Sequence, residues 1–574
     1  MHSSSTNYIR LFVVIVIILS AFVLGYPIAF VVQHGFNPSG WPPELVLTPF
    51  RWFSEWSVSF GSHYPNVLLF IGTYLEMLLS RSPAFYDGGL IAWAAICGSA
   101  AFLGASAATL LRTERTTVHG DAKWASRRIL SHMRVGLEIG QNPDTGRPVR
   151  IQVEGNLLTI APPRTGKTDG LILPNLAWAE REAWAGPAVV IDPKGDAYRA
   201  TKRRRQAMGR TVRCLDPLDL VGGTDRWNPL ARVDVKDVLY LMSMASALAP
   251  QVNQQSDGGA FFNNGAAILI AAAAIVSTSD GRPNLSAASE LLLDEKKFHD
   301  GLMRHQNEAH AASKLLANAL RILDRDDPKT RSNLFSTANQ NMQWLHDQRM
   351  QATVQNSTFD LTDLADGNVD LFIVLPADSR KHILAPYVRW LLADLFAAVR
   401  QQRPCERIIA FIDEASILGP FRELLDAAGE LPGYGLSIWT FWQSRSQIET
   451  HYGRSGAEIF LDTAEMVNLF NLSAVRPDET ERWSLALGTY TGTKLVLTED
   501  VKSKKASTSR DQEPLRLVPA ADLPRLLNEF QIVFLNGLRH TPYPLKLKRT
   551  AAHLDSRIAC LLDLKAPVGS TTAN

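Results

Sequence analysis

The chain has 574 residues, with 59 Lys+Arg against 57 Asp+Glu and a formal net charge of +2. That length exceeds the need of one compact core and calls for two or three lobes, while the near-neutral balance excludes a polybasic nucleic-acid coat, so any basic surface is local. The four cysteines, Cys97, Cys214, Cys405 and Cys560, lie far apart with no CxxC pair, which speaks against a zinc site or a disulfide scaffold.

Residues Leu11 to Val32 form an uncharged, mostly apolar run, long enough as a helix to cross a hydrocarbon layer of about 30 Å. A signal peptide is the competing reading, but the run is long for one and no small-residue cleavage site clearly follows it. A second run, Gly88 to Leu111, is rich in Gly, Ala and Ser, which suits either close helix packing in a bilayer or a buried soluble helix. Arg112, Arg115, Lys123, Arg127 and Arg128 crowd its exit, predicting both termini on the cytoplasmic side and the loop 33–87 outside. Within that loop Asn66 to Leu79 is apolar enough to lie on the membrane or pack against the spans.

Past Ala122, short apolar runs alternate with helical stretches, the pattern of a parallel sheet flanked by helices. Expected strands are 157–161, 188–192, 212–216, 371–376, 408–413, 436–442, 467–473 and 532–536. Several end in polar residues, at the strand ends where such sheets place ligands. Between about 236 and 360 the strand signals stop, predicting an all-helical lobe inserted into the α/β core. The polar stretch 501–513 reads as a mobile loop and the last segment as a frayed tail.

The stretch "APPRTGKTD", Ala161 to Asp169, stands between the first of these strands and an apolar helical run. That strand–loop–helix context is the one a phosphate loop requires. Backbone N–H groups of Pro163-flanked Arg164, Thr165, Gly166, Lys167, Thr168 and Asp169 would surround phosphate oxygens, Lys167 would reach the β and γ phosphates, and the Thr168 hydroxyl would ligate Mg²⁺. Ala161 stands where the pattern has its first glycine. Further on, "RIIAFIDEAS" is a hydrophobic strand ending in Asp413 and Glu414. Adjacent carboxylates there are costly without a partner, and Mg²⁺ supplies one. Asp413 is expected to hold the metal and Glu414 to activate the attacking water. The next strand ends in Gln443, placed to sense a γ-phosphate or simply to bond a loop. "DPKGD" (192–196) is either a capped β-turn or part of the site. "TKRRR" (201–205) is either a solvated helix face or a contact to phosphate backbone.

These residues, together with "HGDAKWA" (119–125), "WNPL" (227–230), "FFNNGA" (261–266), "GYGLSIWTFWQS" (433–444) and "LPRLLNEFQIVFLNG" (523–537), give a chain that resembles the TraG/TraD family of type IV secretion coupling proteins. The resemblance implies a RecA-like P-loop motor of α/β class with an all-α insertion domain, preceded by a two-helix transmembrane anchor. In this reading residues 1–118 are the anchor, 119–235 and 361–550 the nucleotide-binding domain, 236–360 the insertion and 551–574 a flexible tail. It also implies ATP and Mg²⁺ as cofactors, with Lys167, Glu414 and Gln443 catalytic and Thr168 and Asp413 on the metal. A multi-pass inner-membrane ATPase, a homo-hexamer, would pass relaxase-bound single-stranded DNA or effector proteins to other secretion components. Some relatives carry a basic residue where Pro432 stands, so either a finger from a neighbouring subunit comes from elsewhere, with Arg422, Arg445 and Arg454 as candidates, or the enzyme is slow without a partner. Alternatives are an FtsK/HerA-like double-stranded DNA pump and a nucleotide-binding adaptor without motor activity. No "LSGGQ" element supports an ABC transporter subunit.

Overall fold

The computed structural model describes residues 119–249, 257–306, 312–500, 505–537 and 540–563. The two expected spans and the loop 33–87 lie outside these residues. The described helices that are long and apolar enough to cross a bilayer, Gly259–Ser279 and Arg380–Gln401, are mostly buried within the protein. They serve here as core helices.

An 11-stranded sheet runs in the order β2-β1-β13-β12-β9-β3-β8-β7-β4-β6-β5. Its parallel part comprises β3 (Asn156–Ile160), β4 (Ala188–Pro193), β5 (Thr211–Leu215), β6 (Val369–Leu375), β7 (Ile408–Ile412), β8 (Leu436–Trp442) and β9 (Ala464–Leu469). Strands β3, β6, β7 and β8 are buried along their whole length. Strands covered on both faces need apolar side chains at every position, which is why these appeared in the sequence as unbroken apolar runs. All eight expected strands are present, the eighth as β12 (Phe530–Leu535), which turns antiparallel to β9.

Beyond β12 the sheet continues antiparallel through β13 (Leu545–Lys548), β1 (Leu137–Gln141) and β2 (Pro148–Ile151). Two expectations are corrected on this side of the molecule. The described part of the stretch 501–513 is a strand: Lys505–Arg516 forms β11, paired residue for residue with β10 (Thr489–Asp500) in a separate hairpin. Ladder pairing is satisfied by the backbone of any residue, so a polar sequence is no bar to it. The tail boundary at 551 is too early. Ala552, Ile558 and Leu562 are buried against the sheet, and the chain is packed as far as Asp563.

Between β5 and β6 the described residues contain helices and no strand: α4 (Val238–Leu248), α5 (Asp257–Ser279), α6 (Leu285–Leu293), α7 (Glu295–His305), α8 (Ser313–Leu323), α9 (Pro328–Met342) and α10 (Gln348–Thr353). They follow α1 (Arg127–His132), α2 (Leu173–Ala177) and α3 (Asp196–Ala207) and precede α11 (Arg380–Gln401). Five of the seven start at an Asp or Asn whose side chain accepts a backbone N–H, Asp237, Asn284, Asp294, Asp327 and Asp347, which satisfies orphan donors and marks each entry. The lobe shares one apolar core with a face of the sheet, through α11. On α11, Arg389 is buried and donates to Ala247 O and Leu248 O at the end of α4 and to Leu418 O. Asp394 accepts the Tyr240 hydroxyl from the same lobe helix.

Candidate nucleotide site

The site begins where β3 stops. The amide of Ala161 still bonds Trp442 O of β8 at 2.7 Å, and its methyl group is fully buried. The missing first glycine is therefore absorbed by the core. Thr165 Oγ1 then closes the loop on Pro162 O at 2.8 Å, and Arg164 (φ 63°) and Gly166 (φ 80°) take left-handed conformations. A Cβ built at Gly166 would meet nothing within 4 Å. What Gly166 contributes is its backbone conformation, since the surrounding space is open. Residues Thr168–Ile172 form a turn of π-helix, with Leu173 N on Thr168 O, before α2. Such wide turns gather at functional sites.

Strand β8 lies between β3 and β7, so the loop after β3 and the acids after β7 open from the same carboxyl edge. Thr168 Oγ1 donates to Asp413 Oδ2 at 2.7 Å, and Lys167 Nζ stands 3.5 Å from Asp413 Oδ1. The two segments that are 245 residues apart in sequence therefore meet side chain to side chain. Asp413 is buried, yet its Oδ1 makes no hydrogen bond. Burial pushes its carboxyl upward, with Lys167 and the Thr168 hydroxyl acting against that rise. A buried carboxylate oxygen that Lys167 approaches only to 3.5 Å, next to a threonine hydroxyl, makes a hard-oxygen pair suited to a divalent cation.

Glu414 sits in the left-handed region (φ 72°) and its Oε1 is paired with Lys381 Nζ at 2.6 Å. Lys381 belongs to α11 and was not legible as a site residue. Asp192, left open between turn and site, forms a turn and lies near enough to Asp413 to feel its charge. Its Oδ2 accepts Tyr198 N at 2.8 Å in a turn with Lys194 (φ 89°) and Gly195 (φ 74°), and it is fully buried. Burial raises its carboxyl to about 7, and the neighbouring Asp413 adds to the rise.

Other expected residues are placed differently. The Asp169 carboxylate binds His553 Nδ1 at 2.7 Å, so its side chain serves to pin the C-terminal segment. Pro163 and Arg164 are exposed on the loop. Gln443 follows β8 and its backbone N–H donates to Gln447 Oε1. Of the basic run, Arg205 is a buried partner of Asp370 and Arg204 bonds Ala177 O and Trp178 O. Those two arginines are therefore structural. Among the finger candidates Arg445 is buried between Glu449 and Glu458, Arg422 pairs with Asp426, and Arg454 is exposed after the kink at Gly453.

The strand order, the loop after β3 and the paired acids after β7 together define a RecA-like P-loop fold carrying an all-helical insertion. Residues 115–569 match the family model described as "Type IV secretory system Conjugative DNA transfer", and the chain belongs to that family. It is 24% identical over 344 residues to protein VirD4 of Rhizobium radiobacter, covering 58% of this chain and 48% of that protein. It is also 24% identical to the conjugal transfer protein TraG of Escherichia coli (68% and 67% covered) and to VirD4 of Agrobacterium fabrum (86% and 71%). The chain thus spans about half of the first of these relatives and about two thirds or more of the others. Among solved structures, the conjugative coupling protein TrwB superposes with a TM-score of 0.54 at 18% identity, over 75% of this chain and 93% of that one. TrwB has been solved with the non-hydrolysable ATP analogue ADPNP and with ADP and Mg²⁺.

Proposed function

We propose that the protein is the ATPase coupling protein of a type IV secretion or conjugation system, anchored in the bacterial inner membrane by two spans with both termini cytoplasmic. It recruits relaxase-bound single-stranded DNA or effector protein and drives it toward the secretion channel as a homo-hexamer, in contact with other secretion components. The observation that carries this reading is the meeting of Lys167 and Thr168 with Asp413, whose unbonded buried oxygen fits a Mg²⁺ held together with ATP. The family membership supports the cargo and the membrane setting.

Arg164, Thr165, Gly166 and Lys167 would bind the phosphates through the loop backbone and the ammonium, and Thr168 and Asp413 would hold the metal. The bound Mg²⁺ would supply charge neutralisation on the phosphate oxygens. Glu414 would take a proton from the attacking water as the bond between the γ-phosphorus and the ADP oxygen breaks. Gln443, at the end of the strand between the two, would orient that water or report the γ-phosphate to the helical lobe. A steady-state ATPase assay on the full chain tests this: Glu414→Gln is expected to lower kcat about 10²–10³-fold with nucleotide binding retained. Unchanged turnover in that variant would refute it.

A further inference from the structure

Glu414 is described above as the group that takes a proton from water, yet one of its oxygens is already engaged. We propose that Lys381 is a positioning residue of this site, a latch that keeps Glu414 Oε1 engaged in the resting protein and is carried on and off by helix α11. The proposal rests on the hydrolase reading above.

Three observations support the latch. The ion pair is short, 2.6 Å, and its side chains are only 14% and 23% exposed, so it is a fixed contact and differs in kind from a solvated surface pair. Glu414 is nevertheless open enough to be hydrated, unlike Asp370, which is wholly buried and must have Arg205. Burial alone does not therefore require Lys381. Finally, Glu414 is held at φ 72°, a backbone conformation costly for a residue with a Cβ and one that persists only where neighbours enforce it.

The position of Lys381 supplies the control. It is the second residue of α11, whose start is fixed by Arg380 on Asp378. Further along the same helix, Arg389 bonds the last carbonyls of lobe helix α4 and also Leu418 O, which closes the turn that begins at Glu414. Asp394 binds Tyr240 of α4. One helix thus touches the catalytic acid at its start and, past its internal Pro386, the helical lobe along its length. A shift of the lobe moves α11, withdraws Lys381 and frees Glu414 Oε1 to face water.

The test is ATP turnover by the full chain without any cargo. Lys381→Met keeps the length of the side chain and removes its charge, and it is expected to raise kcat roughly two- to fivefold with KM unchanged, the range an ion pair of this kind can hold back. Lys381→Arg, which keeps the pair, should stay at the wild-type rate and reports on folding. The double variant Lys381→Met with Glu414→Gln should be as inactive as Glu414→Gln alone, showing that the added turnover passes through Glu414. Turnover by Lys381→Met at or below wild type, with Lys381→Arg normal, overturns the latch and leaves the hydrolase reading standing. Wild-type turnover by Glu414→Gln alone overturns both.

Discussion

Two groups of buried acids lie at different places on the same sheet, and they are treated in opposite ways. At the antiparallel edge, Glu138 of β1 is met by Arg150 Nη2 at 3.3 Å, Arg557 Nη2 at 3.1 Å and the Thr550 hydroxyl at 3.1 Å. Glu180 shares both arginines, and Asp555 pairs with Arg557. Every carboxylate there has a cationic partner. At the carboxyl edge of the parallel half, Asp192 and Asp413 are equally buried and face each other's charge, with a single lysine at 3.5 Å from Asp413. The first group is saturated and so contributes to holding β1, β2 and the C-terminal segment together. The second is left short of positive charge, which costs stability unless something cationic arrives. The contrast supports the proposal that the first cluster is structural and the second receives a ligand.

The saturated cluster should show the larger stability effect. Glu138→Gln leaves Arg150 with Glu180 as its remaining carboxylate and weakens the hold on Arg557, and we expect unfolding free energy to fall by about 2 kcal/mol, read by denaturant unfolding. Nucleotide affinity measured under native conditions should be unchanged. A loss of nucleotide binding without a loss of stability would reverse the assignment of the two clusters.

A pH series sharpens the comparison further. The Asp192 carboxyl is raised to about 7 in the folded protein by burial, from an ordinary value of 3.8. A raised carboxyl favours the protonated folded form, so its contribution to stability is present below the unfolded value and is lost as pH climbs from 3.8 through about 7. Thermal midpoints of the nucleotide-free protein should fall across that window, and Asp192→Asn should flatten the fall. An unaltered slope in the variant would show that Asp192 does not titrate there.

The parallel strands were legible because burial on both faces demands uninterrupted apolar residues, as in "LLTI" and "IIAFI". The loop pattern after β3 pointed to Thr168, and the polar end of β7 to Asp413 and Glu414, as candidates. Short strands such as Leu545–Lys548, four residues between β1 and β12, are too brief to carry a distinctive pattern, and β11 is mostly polar, so pairing there is set by register with β10. Strand β9 begins at Ala464, earlier than its apolar run suggested, because helix α13 (Arg445–Thr463) hands the chain straight to it. Lys381 and His553 were invisible because their roles exist only across the fold, 33 and 384 residues from Glu414 and Asp169. Periodicity cannot reveal that kind of contact.

The central claim is that Asp413 is kept buried and underbonded for a nucleotide-bound cation. The direct measurement is the unfolding midpoint of the full chain, wild type against Asp413→Asn, with and without ATP and Mg²⁺. Without nucleotide the variant should be more stable, by on the order of 1 kcal/mol, because it no longer strands a charge. With ATP and Mg²⁺ only the wild type should gain stability through binding. A variant less stable than wild type without nucleotide, or stabilised by ATP and Mg²⁺ to the same extent, would contradict the account.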